Sequence, residues 1–224
     1  MIVLAAAREV IEGYLGVARK ARLRVQAVNV EACAILECFA RLFRREADKD
    51  KATLFLDMGR AVTQVVVAHG PKLVFARNVP LGGEHLERAA GSVLGMPMEE
   101  IQNARLAEAL SKAPVEEADR LYDAMGPALA SMGEEISRSL RYYESVFRNQ
   151  TIERVIFVGG GAYDKRLCQS IAQRLNLPAQ IGDPLLRIKY LDGASTSGTG
   201  LDRRCPQPDW AVAVGLSIGA TIAA

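Results

Sequence analysis

The chain has 224 residues, half of them hydrophobic, and a formal net charge of +2. That apolar fraction with so little net charge excludes intrinsic disorder. Twenty-eight basic residues balanced by 26 acidic ones, with only 6% aromatics, argue against a dedicated nucleic-acid binder. Arg8 and Glu9 interrupt the apolar opening, so no secretory signal is expected. The longest uncharged run starts at Trp210. It is shorter than the roughly 20 residues a bilayer span needs, so it reads as a buried helix and not as a membrane insertion. The cysteines are Cys33, Cys38, Cys168 and Cys205. None forms a C-x-x-C pair, which predicts buried free thiols in a reducing compartment.

In chain order, Ile2 to Ala6 reads as a short strand. Val10, Ile11, Tyr14, Leu15 and Ala18 recur at helical spacing. Leu23 to Val28 reads as a second strand, and a helix follows from Glu31 with Ala34, Ile35, Cys38, Phe39 and Leu42 on one face. Arg44 to Lys51 reads as a charged loop. Thr53 to Asp57, Gln64 to Ala68 and Leu73 to Arg77 are apolar runs separated by turns at Met58-Gly59-Arg60 and His69-Gly70-Pro71-Lys72, which predicts an antiparallel meander. A helix begins near Glu84. Helical sequence then runs from about Glu99 to Arg148, with Pro114 and Gly126-Pro127 predicted to interrupt it. A strand at Arg154 to Val158, a helix from about Tyr163 to Leu175 and a short strand at Leu177 to Ile181 follow. Asp192 to Arg204 reads as a Gly/Ser/Thr-rich excursion, and an apolar helix closes the sequence.

Two turns are candidates for chemistry. In Asp57-Met58-Gly59-Arg60-Ala61-Val62-Thr63 a strand delivers a carboxylate into a glycine turn, and a hydroxyl follows. Such a turn brings backbone N–H groups close to a phosphate, and a carboxylate suits a hard cation. A plain hairpin accounts for the same residues. In Val158-Gly159-Gly160-Gly161-Ala162 a strand enters three glycines and leaves into a helix, an arrangement suited to close ligand approach or to a purely structural turn. His69 and His85 read as surface residues. Ser137, Ser139 and Ser145 lack a nucleophile-elbow context.

The order of these motifs resembles the second half of the actin-like ATPase superfamily, an α/β class with a ribonuclease H-like fold. Within it the sequence is most similar to the PilM family of type IV pilus platform proteins. Asp57-Met58-Gly59 with Thr63 resembles the second phosphate motif. Ala76-Arg77-Asn78-Val79-Pro80-Leu81-Gly82-Gly83 resembles the run that follows it in PilM and FtsA. Phe157 to Ala162 resembles the adenosine motif. Val30-Glu31-Ala32 and Asp209 to Leu216 resemble the two connecting motifs.

The resemblance implies an ATP and Mg²⁺ site. Asp57 would lie near the metal, Glu31 near the attacking water, and Gly59 and Thr63 near the terminal phosphates. Gly159, Gly160 and Gly161 would line the adenosine pocket. The family's A-E-x-x-K motif corresponds to Ile101-Gln102-Asn103-Ala104-Arg105, so Gln102 and Arg105 would stand where ribose and adenine are contacted. Gln102 lacks the acidic charge, and Arg105 keeps a positive charge of another shape. The resemblance also implies that the family's first phosphate hairpin is missing from this sequence.

The expected organisation is therefore a truncated first domain, residues 1–50, and a largely complete second domain, residues 51–205, with a helical subdomain at about 84–130. A closing helix over 206–224 would return to the first domain. The implied role is a cytoplasmic scaffold of pilus assembly, peripheral to the inner membrane. It would bind ATP weakly or not at all and dock a PilN-like inner-membrane protein. Pilus motor ATPases and self-association are further implied partners. The rival expectations are an active ATPase or sugar-kinase-type enzyme, and an FtsA-like division protein.

Overall fold

The computed structural model describes residues 5–43, 51–109, 114–148, 150–186, 188 and 205–219. The expected loop at Arg44 to Lys51 and the excursion at Asp192 to Arg204 lie outside these, apart from Lys51. So does most of the expected first strand.

One five-stranded sheet organises the chain, in the order β3-β2-β1-β4-β5. Its strands are β1 (Ala52–Met58), β2 (Thr63–His69), β3 (Lys72–Val79), β4 (Ile152–Val158) and β5 (Ala179–Ile181). The meander forms as its turn residues predict: β1 pairs antiparallel with β2, and β2 with β3. β4 then pairs parallel with β1, and β5 parallel with β4.

Both faces of the sheet are covered, so its central strands are apolar on both sides. Leu54, Leu56, Met58, Val65, Val67, Val155 and Phe157 point to one face. They pack under α3 (Gly83–Leu94), α5 (Val115–Val146) and α6 (Lys165–Leu175), and α4 (Met98–Ala109) packs against α3 and α5. Phe55, Val66, Ala68, Ile156 and Val158 point to the other face, under Ile35, Leu36 and Phe39 of α2 (Glu31–Phe39). Alternate burial with period two is what gives each strand two working faces.

Two sequence expectations need correction. Leu23 to Val28 is not a strand but exposed irregular chain. Among the described residues none pairs with it as a strand, and a strand needs a partner. The preceding helix α1 (Arg8–Lys20) forms where its spacing predicts, yet none of its residues is buried. Pro127 does not interrupt its helix: α5 runs unbroken for 32 residues. Leu121 and Met125 before Pro127 stay in phase with Met132, Ile136, Leu140 and Tyr143 after it, and all six are buried. Their tertiary packing outweighs the roughly 3 kcal/mol that a proline costs a helix interior.

The histidines are not simple surface residues either. His69 Nε2 lies 2.5 Å from the Tyr143 hydroxyl, and its ring packs edge-on against Phe147. His85 Nδ1 accepts the Gly82 N–H and so caps α3. The four cysteines are unpaired as expected, but only Cys168 is buried, Cys33 and Cys38 are half-buried, and Cys205 is exposed.

The closing helix α7 (Ala211–Gly219) lies against α2. Gly215 is what permits this. A Cβ there would meet the carbonyl of Ala34.

Candidate functional site

Parallel pairing of β1 with β4 sets Asp57 beside Val158. The two glycine turns therefore leave the same edge of the sheet, where ligands of α/β proteins bind. The Gly159 turn is tight against the other. Gly159 has φ of 80°, and a Cβ there would strike Asp57 Oδ1. A Cβ on Gly161 would lie 2.7 Å from Met58 Cβ. Glycine is required at both places for the turns to coexist.

The β1–β2 turn is also stitched to the start of α3. Gly83 N donates to Gly59 O at 3.0 Å and Glu84 N to Arg60 O at 2.8 Å. Arg60 Nε lies 3.6 Å from Glu84 Oε2.

Between these turns and α4 opens a cleft of about 510 Å³. Gly59, Gln102, Arg105, Gly160 and Gly161, expected on sequence, line it together. Thr63 does not: it is fully buried, and its hydroxyl donates to the Leu81 carbonyl at 2.7 Å. Gly159 sits behind the cleft, with its N–H on Pro208 O at 2.9 Å. Asp57 and Glu31 are electrostatically coupled outside the lining. Burial, reinforced by the Glu31 charge, pushes the Asp57 carboxyl up to about 6. Among the described residues no group of three or more metal-ligating side chains occurs.

The cleft wall holds three residues that sequence reasoning missed: Glu87, Asp164 and Tyr163. Arg105 Nη1 donates to Glu87 Oε1 at 2.9 Å and to the Gly83 carbonyl at 3.3 Å, and its Nη2 donates to Asp164 Oδ2 at 3.1 Å. Gln102 Nε2 donates to Glu87 Oε2 at 3.2 Å. Asp164 is the N-cap of α6: its Oδ1 accepts the Leu167 N–H at 2.9 Å and the hydroxyl of Tyr122. Asp164 before a helix was a legible capping signal. Glu87 had only its place one helical turn after Gly83.

A family model described as type IV pilus assembly protein PilM matches residues 1–220. The chain belongs to the PilM family. Among solved structures it is similar to a PilM–PilN type IV pilus biogenesis complex, with TM-score 0.78 and 22% identity over 96% of this chain. The chain spans 59% of that protein's length. It is similar to the ethanolamine utilization protein EutJ from Carboxydothermus hydrogenoformans, with TM-score 0.65, 16% identity, and coverage of 97% of this chain and 63% of that one. MreB5 of Spiroplasma citri bound to ADP is matched at TM-score 0.61 and 12% identity, over 96% of this chain and 65% of that one. At these identities the likenesses establish the fold: like these neighbours, this PilM-family chain is an actin-like ATPase fold.

Proposed function

We propose that this chain acts in type IV pilus assembly as a scaffold that binds ATP weakly and docks a PilN-like inner-membrane protein. The observation that carries the weak-binding reading is the engagement of Arg105. Its guanidinium is already held by Glu87, Asp164 and the Gly83 carbonyl, so it has little left to offer a nucleotide. Gln102, likewise, spends its amide on Glu87.

The residues present nevertheless fit a nucleotide and a divalent cation. Gly59, Gly160 and Gly161 leave backbone in direct contact with the cleft. The Asp57–Glu31 pair carries mutual repulsion that a cation held through water would relieve. When bound, that cation would neutralise phosphate charge. Asp57 would hold it and Glu31 would face the adjoining water.

Family membership supports the pilus pathway, and the neighbour's PilN complex supports the partner class. The division into residues 1–50, 51–205 and 206–224 belongs to the same proposal. Calorimetric titration with Mg-ATP tests the nucleotide half: an affinity weaker than about 1 μM and no turnover are expected. Sub-micromolar affinity, or turnover abolished by Asp57→Asn, overturns it in favour of an active ATPase. A pull-down of the full-length protein with the N-terminal tail of a PilN-like partner tests the docking half, and failure to capture removes it.

A further inference from the structure

β3 is an outer strand of the sheet. β2 pairs with one of its edges, and among the described residues no strand lies on the other. An edge strand points unpaired backbone N–H and C=O groups outward, and proteins guard such edges with charge or bulges. Here the guard covers only the start of the strand. Lys72 is exposed there, and the register with β2 shifts between Val67 and Ala68. From Phe75 to Val79 the pairing with β2 is regular, and Phe75 and Ala76 are half-buried while Arg77 and Asn78 are exposed.

This edge is apolar in its middle and cationic at both ends. Phe75 and Arg77 stand opposite Val67 and Val65, on the sheet face that α5 covers. The Phe75 ring lies 6.0 Å from that of Tyr142, and Tyr142 and Val146 of α5 are 61% and 55% exposed. Arg77 Nη2 and Arg138 Nη1 share the Glu135 carboxylate at 3.4 and 2.7 Å, which leaves a positive charge in excess at that end. Lys72 adds another at the start. A second copy of this chain is therefore a poor occupant. Antiparallel pairing sets the Lys72 end of one copy against the Arg77 end of the other, and parallel pairing sets like ends together. An acidic chain carries the complementary charge.

We propose that the outer edge of β3, from Phe75 to Asn78, takes an extended acidic segment of another protein as an added strand. The outward backbone groups supply the hydrogen bonds, and the α5 face supplies the selection. An added strand lies about 4.8 Å beyond β3 and turns alternate side chains to that face. There an apolar side chain meets Phe75 and Tyr142. Two residues along, a carboxylate meets Arg77 and Arg138. The segment so recognised alternates apolar and acidic residues. None of these residues lines the cleft, so the proposal stands apart from the nucleotide reading.

The test is amide hydrogen exchange of the full chain with a blocked synthetic peptide of alternating valine and glutamate, and with its valine–lysine counterpart. The valine–glutamate peptide at millimolar concentration is expected to slow exchange in β3 about threefold or more, as a ligand at twice its dissociation constant predicts. The valine–lysine peptide is expected to leave β3 unchanged. Arg138→Glu alters a side chain that is 59% exposed, so the fold is not at stake. This variant is expected to lose the response to the glutamate peptide and to gain one to the lysine peptide. No slowing of β3 in the wild type, which needs no variant to fold, overturns the proposal. Equal slowing by both peptides, or a preference unchanged in Arg138→Glu, does the same. Slowing of β3 without peptide that grows with protein concentration also overturns it, and assigns the edge to a second copy.

Discussion

Arg105 on α4 reaches Asp164, the N-cap of α6, at 3.1 Å, and so ties a peripheral helix to the helix that follows the Gly159 turn. The bridge is nearly dry, with side chains 10% and 6% exposed. It matters because, among the described residues of α4, only Ile101 enters the buried core. Truncating one partner of a buried ion pair costs more than the pair is worth, because the other charge stays unpaired. Arg105→Ala is therefore expected to lose about 3 kcal/mol by urea denaturation. Arg105→Lys should lose less but not recover fully, since an ammonium lacks the fork that serves Glu87 and Asp164 together. An Arg105→Ala midpoint equal to wild type would show that the bridge holds nothing.

Asp57 links stability to function with opposite signs. Its folded-state carboxyl titrates at about 6 against 3.8 in the ordinary state, because of burial first and Glu31 second. The folded protein holds this proton more tightly than the unfolded chain does. Its contribution to stability is complete below the unfolded value and is lost as pH rises through about 6. At neutral pH the ionised carboxylate costs on the order of 3 kcal/mol. Asp57→Asn should thus be more stable than wild type at pH 7.5. The gap should close by about pH 4, while any Mg²⁺-dependent nucleotide affinity falls. Thermal melts across pH, without and with Mg-ATP, measure both halves.

How much was legible depended on how local the determining physics was. The meander could be read because its strands are neighbours joined by turns whose glycine and proline residues announce themselves. The convergence of Gly59 with Gly160 and Gly161 was readable only through a family pattern, since β1 and β4 are separated by the whole helical stretch. Pro127 misled because a proline penalty is local, whereas the stripe from Leu121 to Tyr143 that overrides it is buried by the sheet. Glu87 was invisible for a related reason. It looks like an ordinary helix-surface acid until α4 lays Gln102 and Arg105 across it.

His69 carries the opposite pH signature to Asp57. The Tyr143 hydroxyl donates to the Gln150 carbonyl at 3.1 Å, so toward His69 it acts as acceptor, and Nε2 carries the proton. Burial holds the imidazole below its ordinary 6.5. A depressed value means that the folded state binds this proton less well than the unfolded chain does. The contribution is present above pH 6.5 and is lost as pH falls below it. His69→Gln keeps a donor for Tyr143 without titrating. It should flatten the decline of stability between pH 6.5 and the mildly acidic range, as read from urea midpoints. An unchanged acid limb would assign that decline to other groups.

The contact of α2 with α7 gives the sharpest test of close packing. A Cβ on Gly215 would lie 2.5 Å from the Ala34 carbonyl carbon and 3.0 Å from its Cα. These are backbone atoms, which cannot rotate aside as a side chain can, so the two helices must separate. Both helices belong to the motifs that resemble connecting segments, and α2 begins at Glu31, the residue whose charge reaches Asp57. Gly215→Val is therefore expected to cost at least 2 kcal/mol by overpacking and to move Glu31 relative to Asp57. The second effect reads out separately, as a shift in the Asp57 titration followed by carboxyl-carbon NMR. Gly16→Ala on the unpacked α1 is the control. A Cβ there meets nothing within 4 Å. Alanine favours helix over glycine by about 1 kcal/mol, so this variant should not lower the unfolding midpoint. If Gly215→Val leaves both the midpoint and the Asp57 titration unchanged, the two helices have room that the Ala34 contact denies.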